Sequence, residues 1–266
     1  MKNKLFIGIL SLLVLAVTLT GCGTTASTPT NTATESGEKI TVAAAADLVL
    51  AFKDIEAVYE QATGNDAEIT YSSSGTAREQ INNGAPYDVY ASANIKYVDD
   101  LIEQDKIIAE TKELYAIGRV GIATLVGNSL QITDASDLLK PEYIKIAIAD
   151  PSHAPYGVAA KEALESLGVW DKLEDKMVYG KDIQDVLTQL KTGNVEAALI
   201  SLSVVNKDEV NFLLLDDNLH NPLKQAIAVV KGTEHEQAAR EFIKFVNGEQ
   251  GRDIMKKYGF VLPGEI

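Results

Sequence analysis

The strongest constraint on the fold is an alternation that runs along the chain. Short apolar runs recur, each followed by a stretch with apolar residues at helical spacing. Residues 39–45, KITVAAA, read as a buried strand; Leu48, Ala51, Phe52, Ile55, Val58, Tyr59 and Ala62 then mark one helical face, and Gly64 is a natural stop. The same pattern predicts strands at 68–71 and 88–91 and helices at 76–82 and 95–104. A long apolar segment, 114–126, comes next. Beyond it, strands are expected at 144–149, 177–179, 197–200, near 212–215 and at 226–230, with helices at 156–167, 182–192, 234–246 and 250–257. Strands separated by helices pair in parallel, so the fold class is α/β, parsed as two halves.

The first residues read differently. Lys2 and Lys4 precede an apolar run, 5–19, that suits a signal peptide and is short for a membrane span. It ends in Leu19-Thr20-Gly21-Cys22, which resembles a bacterial lipobox, so 1–21 is expected to be a cleaved signal peptide and Cys22 the lipidated first residue of an extracytoplasmic, membrane-anchored chain. Cys22 is the single cysteine, which excludes an internal disulfide. Residues 23–38, GTTASTPTNTATESGE, lack any large apolar side chain and cannot offset their ordering entropy, so 22–38 is expected to be a flexible tether spanning roughly 20–25 Å.

Removing Lys2 and Lys4 from the 24 basic residues leaves 22 against 38 acidic ones, a net charge of −16. With no basic run, nucleic acid is excluded as a partner. Asp47, Ser74 and Tyr156 each follow a predicted strand and open a predicted helix. Those are the carboxyl ends of the strands, where open α/β sheets bind ligands, and the helix starts offer free N–H donors suited to an anion. Ser and Asp at helix starts also serve as plain caps.

Several segments resemble the molybdate-binding proteins (ModA) of molybdate ABC importers: 41–48 (TVAAAADL), 72–76 (SSSGT), 84–89 (GAPYDV), 149–151 (ADP), 155–157 (PYG), 160–164 (AKEAL) and 258–260 (YGF). The resemblance implies a two-lobed, type II periplasmic-binding-protein-like fold with an oxyanion held in the cleft by neutral donors. It assigns the contacts to Asp47, Ser74, Tyr156, a backbone N–H at Ile183, and Ser201. No cofactor is implied; the ligand is molybdate or tungstate, bound as the oxyanion with no direct metal ligands. The partners implied are an ABC permease and its ATPase, with the membrane reached through the lipid anchor and the chain a monomer. Lobe 1 is expected to comprise 39–117 plus 232–266 and lobe 2 to comprise 118–231, with crossings near 116–120 and 230–233.

Two contacts depart from the family pattern. Asp47 stands where Ser or Asn is common. Either its carboxylate caps the helix while its N–H serves the ligand, or the carboxylate faces the ligand and takes a proton from it, which favours phosphate. Ser201 stands where tyrosine is common, and Tyr156 is large enough to fill that space. The four arginines, Arg78, Arg119, Arg240 and Arg252, fall on none of the contacts.

An enzyme is the rival class. His153, His220 and His235 are scattered without metal-ligand spacing, and no nucleophile elbow or phosphate loop occurs. His153 is expected to be a loop residue near the cleft. A binding protein for sulfate, phosphate or an organic solute remains the alternative. An amino acid would want an arginine for its carboxylate, and none is well placed.

Overall fold

A computed structural model describes residues 37–265. The signal peptide, Cys22 and most of the expected tether lie outside the described residues. The strands in chain order are β1 (Lys39–Ala45), β2 (Asp66–Ser72), β3 (Val89–Ser92), β4 (Glu113–Gly118), β5 (Val120–Leu125), β6 (Ile146–Ala149), β7 (Met177–Gly180), β8 (Ala197–Ser201), β9 (Val210–Leu214) and β10 (Leu223–Val229). The helices are α1 (Val49–Thr63), α2 (Ser74–Asn82), α3 (Ile95–Glu103), α4 (Pro155–Ser166), α5 (Trp170–Leu173), α6 (Ile183–Lys191), α7 (Glu236–Val246) and α8 (Glu249–Lys257).

The strands form two five-stranded sheets, ordered β2-β1-β3-β10-β4 and β7-β6-β8-β5-β9. In each, three strands run parallel and two pair antiparallel beside them. The fold is therefore α/β and two-lobed, one sheet to each lobe. The first sheet is buried on both faces, which is why its strands read as near-continuous apolar runs. Val42, Ala44, Val89, Ala91, Ile227 and Val229 pack with Phe52, Tyr59 and Phe242 from α1 and α7. The alternate residues Ala43, Tyr90, Ala226 and Ala228 pack with Ala77, Ile81, Val98 and Leu101 from α2 and α3.

One residue, Arg119, joins β4 to β5 and so links the sheets. The return crossing differs from expectation. β10 pairs antiparallel with both β3 and β4, so the chain re-enters the first sheet within 215–222 and not near 230–233. Residues 223–229, expected in lobe 2, therefore stand in lobe 1. The cause is pairing: β10 fills the place between β3 and β4 and bonds antiparallel to both, which an apolar run does not announce. The pairing of β10 with β4 slips between Gln225 and Ala226, a bulge-like irregularity that leaves Gln225 fully buried. Among the described residues, no helix is long and apolar enough to cross a membrane.

Candidate functional site

Loops leave the carboxyl ends of β1, β2 and β3 in one sheet and of β6, β7 and β8 in the other. Five of these six loops line one small cavity of about 10 Å³. The first lobe contributes Ala45, Ala46, Asp47, Ser73, Ser74 and Ala93; the second contributes Ala154, Pro155, Tyr156, Asp182 and Ile183. Of the five residues expected at the site, Asp47, Ser74, Tyr156 and Ile183 thus meet at one wall. A larger cavity of about 750 Å³ lies at the opposite, amino ends of β1 and β3, between Pro86–Asp88 and Lys231–His235. It meets a single helix start, that of α7 at His235, and lies away from the carboxyl ends of the strands, whereas the small cavity gathers three helix starts there, so the small cavity is the better candidate.

Three helices begin at this wall. α2 starts at Ser74, α4 at Pro155 and α6 at Ile183. Their first-turn N–H groups lack partners within the helix and carry a partial positive charge. Pro155 at the first position of α4 has no N–H to satisfy, so Tyr156 offers the first donor there. The Ser74 hydroxyl accepts from the Ala93 N–H at 2.9 Å, which fixes the oxygen and leaves its proton to donate. Asp182 caps α6 by accepting from the Asp185 N–H at 2.9 Å, so its carboxylate is turned to its own helix. No lysine or arginine lines the cavity.

Asp47 corrects the capping reading. It sits inside a single 3-10 turn, Ala46–Leu48, and α1 begins after Leu48 with no side-chain cap. Its Oδ2 accepts from the Tyr156 hydroxyl at 2.9 Å and from Gln225 Nε2 at 2.7 Å, while the buried Oδ1 has no partner. With the residue 1% exposed, burial pushes the Asp47 carboxyl up to about 6 despite those two hydrogen bonds. Gln225 is held in turn by the Tyr115 hydroxyl at 2.7 Å. Burial, followed by the nearby Asp47 charge, raises the Tyr156 hydroxyl well above its ordinary range, so it stays a donor.

Ser201 does not reach the wall. Its Oγ bonds Ser203 Oγ at 2.7 Å and accepts from the Ser203 N–H at 3.2 Å. Ser203 then donates to the Asp47 carbonyl at 2.7 Å. The Tyr156 hydroxyl reaches from the second lobe to Asp47 and Gln225 in the first, with Ser201 beside it. His153 is more than a loop residue: its carbonyl accepts from the Gly75 N–H at 2.9 Å and its Nδ1 bonds Ser73 Oγ at 2.9 Å. A Cβ on Gly75 would stand 2.4 Å from that carbonyl, so glycine at this position lets the facing lobe come close. Gln184 Nε2 adds a bond to the Ala46 carbonyl at 3.2 Å. The cleft is shut by contacts between the lobes.

Known proteins share this sequence pattern and fold. Residues 40–261 match the model of the bacterial extracellular solute-binding proteins. The molybdate-binding protein ModA of Rhodobacter capsulatus is 30% identical over 227 residues, covering 85% of this chain and 89% of that one. The chain belongs to the molybdate-binding protein family. A putative ABC transporter substrate-binding lipoprotein of Bacillus subtilis, YvgL, is 32% identical over 271 residues, covering 97% and 98% of the two chains. The solved Azotobacter vinelandii periplasmic molybdate-binding protein superposes with a TM-score of 0.79 at 26% identity, over 84% of this chain and 99% of that one.

Within this family fold, sequence reasoning missed Gln225 and Ser203. Both are polar residues inside or after apolar strands, and a fully buried glutamine in a strand run is the signal that could have pointed to the first. Among the described residues, no cluster of His, Cys, Asp or Glu could hold a metal ion.

Proposed function

We propose that the chain captures molybdate, and tungstate equally, and delivers it to the permease and ATPase of an ABC importer while tethered to the membrane through Cys22. The observation that carries the reading is the meeting of three helix starts and the Ser74 hydroxyl at one buried wall without a cationic side chain. Neutral, prealigned donors suit a compact oxyanion that must be both held and released. Charge-assisted hydrogen bonds contribute roughly 1.5–3 kcal/mol each, so a handful reaches the scale of about nanomolar affinity before ordering costs. The relatives named for molybdate support the ligand. YvgL, a putative lipoprotein aligned over nearly its whole length, supports the anchor.

A tetrahedral oxyanion is larger than the cavity, so the ligand enters with the lobes parted about Arg119 and the 215–222 crossing, and closure completes the donor set. Size then separates molybdate and tungstate from sulfate. The test is a thermal-shift panel of oxyanions followed by calorimetry, since a ligand that binds only the native state raises its melting temperature. Molybdate and tungstate are expected to stabilise strongly, with sulfate and phosphate far weaker. Phosphate binding tighter than molybdate would overturn the reading in favour of an Asp47 that takes its proton from the ligand.

A further inference from the structure

Asp47 sets a problem that the other contacts do not. It lines the cavity, is buried to 1% exposure, and keeps one oxygen without a partner. An ionised carboxylate there faces a dianion with no cation between them. We propose that capture of the dianion takes up one proton from solvent onto Asp47, and that the resulting Oδ1–H becomes a further donor to the bound oxyanion. The proposal rests on the oxyanion reading above.

The surroundings favour it from every side. Tyr156 on α4 and Gln225 on β10 both donate to Oδ2, so that oxygen is fixed as the acceptor and the proton falls to Oδ1. Tyr115 on β4 orients Gln225 and keeps its own proton, burial holding its hydroxyl well above the ordinary range. Ser203 meets Asp47 only at the backbone carbonyl, and Gln184 on α6 meets the neighbouring Ala46. Across the cavity, Asp182 is occupied by its own helix and His153 by Ser73. No basic side chain at the wall competes to neutralise Asp47. The step balances simply: carboxylate plus a proton from water gives the acid, and the complex gains the charge of the anion less one. Burial has already raised the free carboxyl to about 6, and a dianion beside it raises it further.

Two consequences follow by linkage. Below about pH 6 the free site is already protonated, and uptake on binding vanishes. Above it, one proton enters per anion and affinity falls roughly tenfold per pH unit. Molybdate is titrated into the full chain by calorimetry between about pH 6.5 and 8.5, in buffers of different ionisation heat. The expected result is uptake approaching one proton per molybdate at the alkaline end, and an affinity loss of about a hundredfold across the range. Asp47→Asn should bind with near-zero uptake and a flat pH profile. Tyr156→Phe, which removes a hydrogen bond holding the Asp47 carboxyl down, should move the uptake midpoint upward. Molybdate binding by the wild-type chain without proton uptake overturns the proposal, as does uptake that survives in Asp47→Asn. If Asp47→Asn fails to fold, the wild-type proton count decides alone. Absence of binding by every oxyanion at every pH overturns the oxyanion reading itself, and the proposal with it.

Discussion

The two lobes are wired alike and equipped differently. Each sheet places the first of its three parallel strands second in order, flanked by the other two, and adds two antiparallel strands on one side. The loops after β1, β2 and β3 therefore correspond to those after β6, β7 and β8, and the two sets face each other. The first lobe brings one helix start, that of α2, and side-chain chemistry, the Ser74 hydroxyl and the Asp47 carboxylate. The second brings two helix starts, at Tyr156 and Ile183, and sends the Tyr156 hydroxyl across to serve Asp47. The lesson is that neither half is a site. One lobe holds a buried acid, one fixed hydroxyl and one helix start, the other a pair of helix starts, and only closure combines them.

The sharpest way to break that comparison is to stop closure without touching a donor. Gly75→Ala puts a methyl 2.4 Å from the His153 carbonyl, a backbone atom that cannot swing aside. The site then loses the donors of the second lobe. Two charge-assisted hydrogen bonds make that roughly 3–6 kcal/mol, more than a hundredfold in affinity. Unliganded stability should fall modestly, because the contacts that shut the cleft at Gly75, Tyr156 and Gln184 are lost while alanine suits a helix better than glycine does. Calorimetry finding molybdate affinity unchanged in Gly75→Ala would show that the Gly75–His153 contact is not needed for binding.

The next test isolates the acid of the first lobe. The fold raises the Asp47 carboxyl from 3.8 to about 6, so the folded state favours the protonated form. Stability from this group is therefore complete below about pH 4 and is lost as pH rises through about 6. A shift of roughly two units corresponds to about 3 kcal/mol. Asp47→Asn cannot ionise, and it should melt above the wild-type chain at pH 7 and higher, by roughly 6–12 °C for a body of this size. Below about pH 4 the two should coincide. Equal melting temperatures at pH 8 would mean that Asp47 is not held in a site hostile to charge.

These expectations also mark what the sequence could and could not reveal. The apolar runs of β1, β3, β6 and β8 were legible because both faces of each strand are buried. The site loops were legible because a helix start after a strand has few uses beyond capping and ligand binding. Asp47 was left open between a cap and an acid facing the ligand because the capping rule is local, whereas its partners lie 109 and 178 residues away in the chain. β10 was placed in the wrong lobe for the same reason: an apolar run does not say which sheet it completes. The role of Gln225 depends on a pairing slip that no spacing encodes.

The finest test compares two serines with the same chemistry, one in each lobe. Ser74 opens α2 just after β2, Ser201 ends β8, and both are 1% exposed. Ser74 accepts from a backbone N–H and keeps its proton for the cavity, whereas Ser201 is engaged with Ser203 on both counts and does not line the cavity. Ser74→Ala should therefore weaken molybdate binding by roughly 10–100-fold, the value of one hydrogen bond to a charged ligand. Ser201→Ala should change affinity less than about threefold and instead cost about 1 kcal/mol of fold stability, since Ser203 loses a partner but retains the Asp47 carbonyl. Affinity by calorimetry and stability by urea unfolding separate the two outcomes. If Ser201→Ala matched Ser74→Ala in lost affinity, the loop after β8 would belong to the bound wall, and the asymmetry between the lobes would be a property of the shut, tightly packed cleft alone.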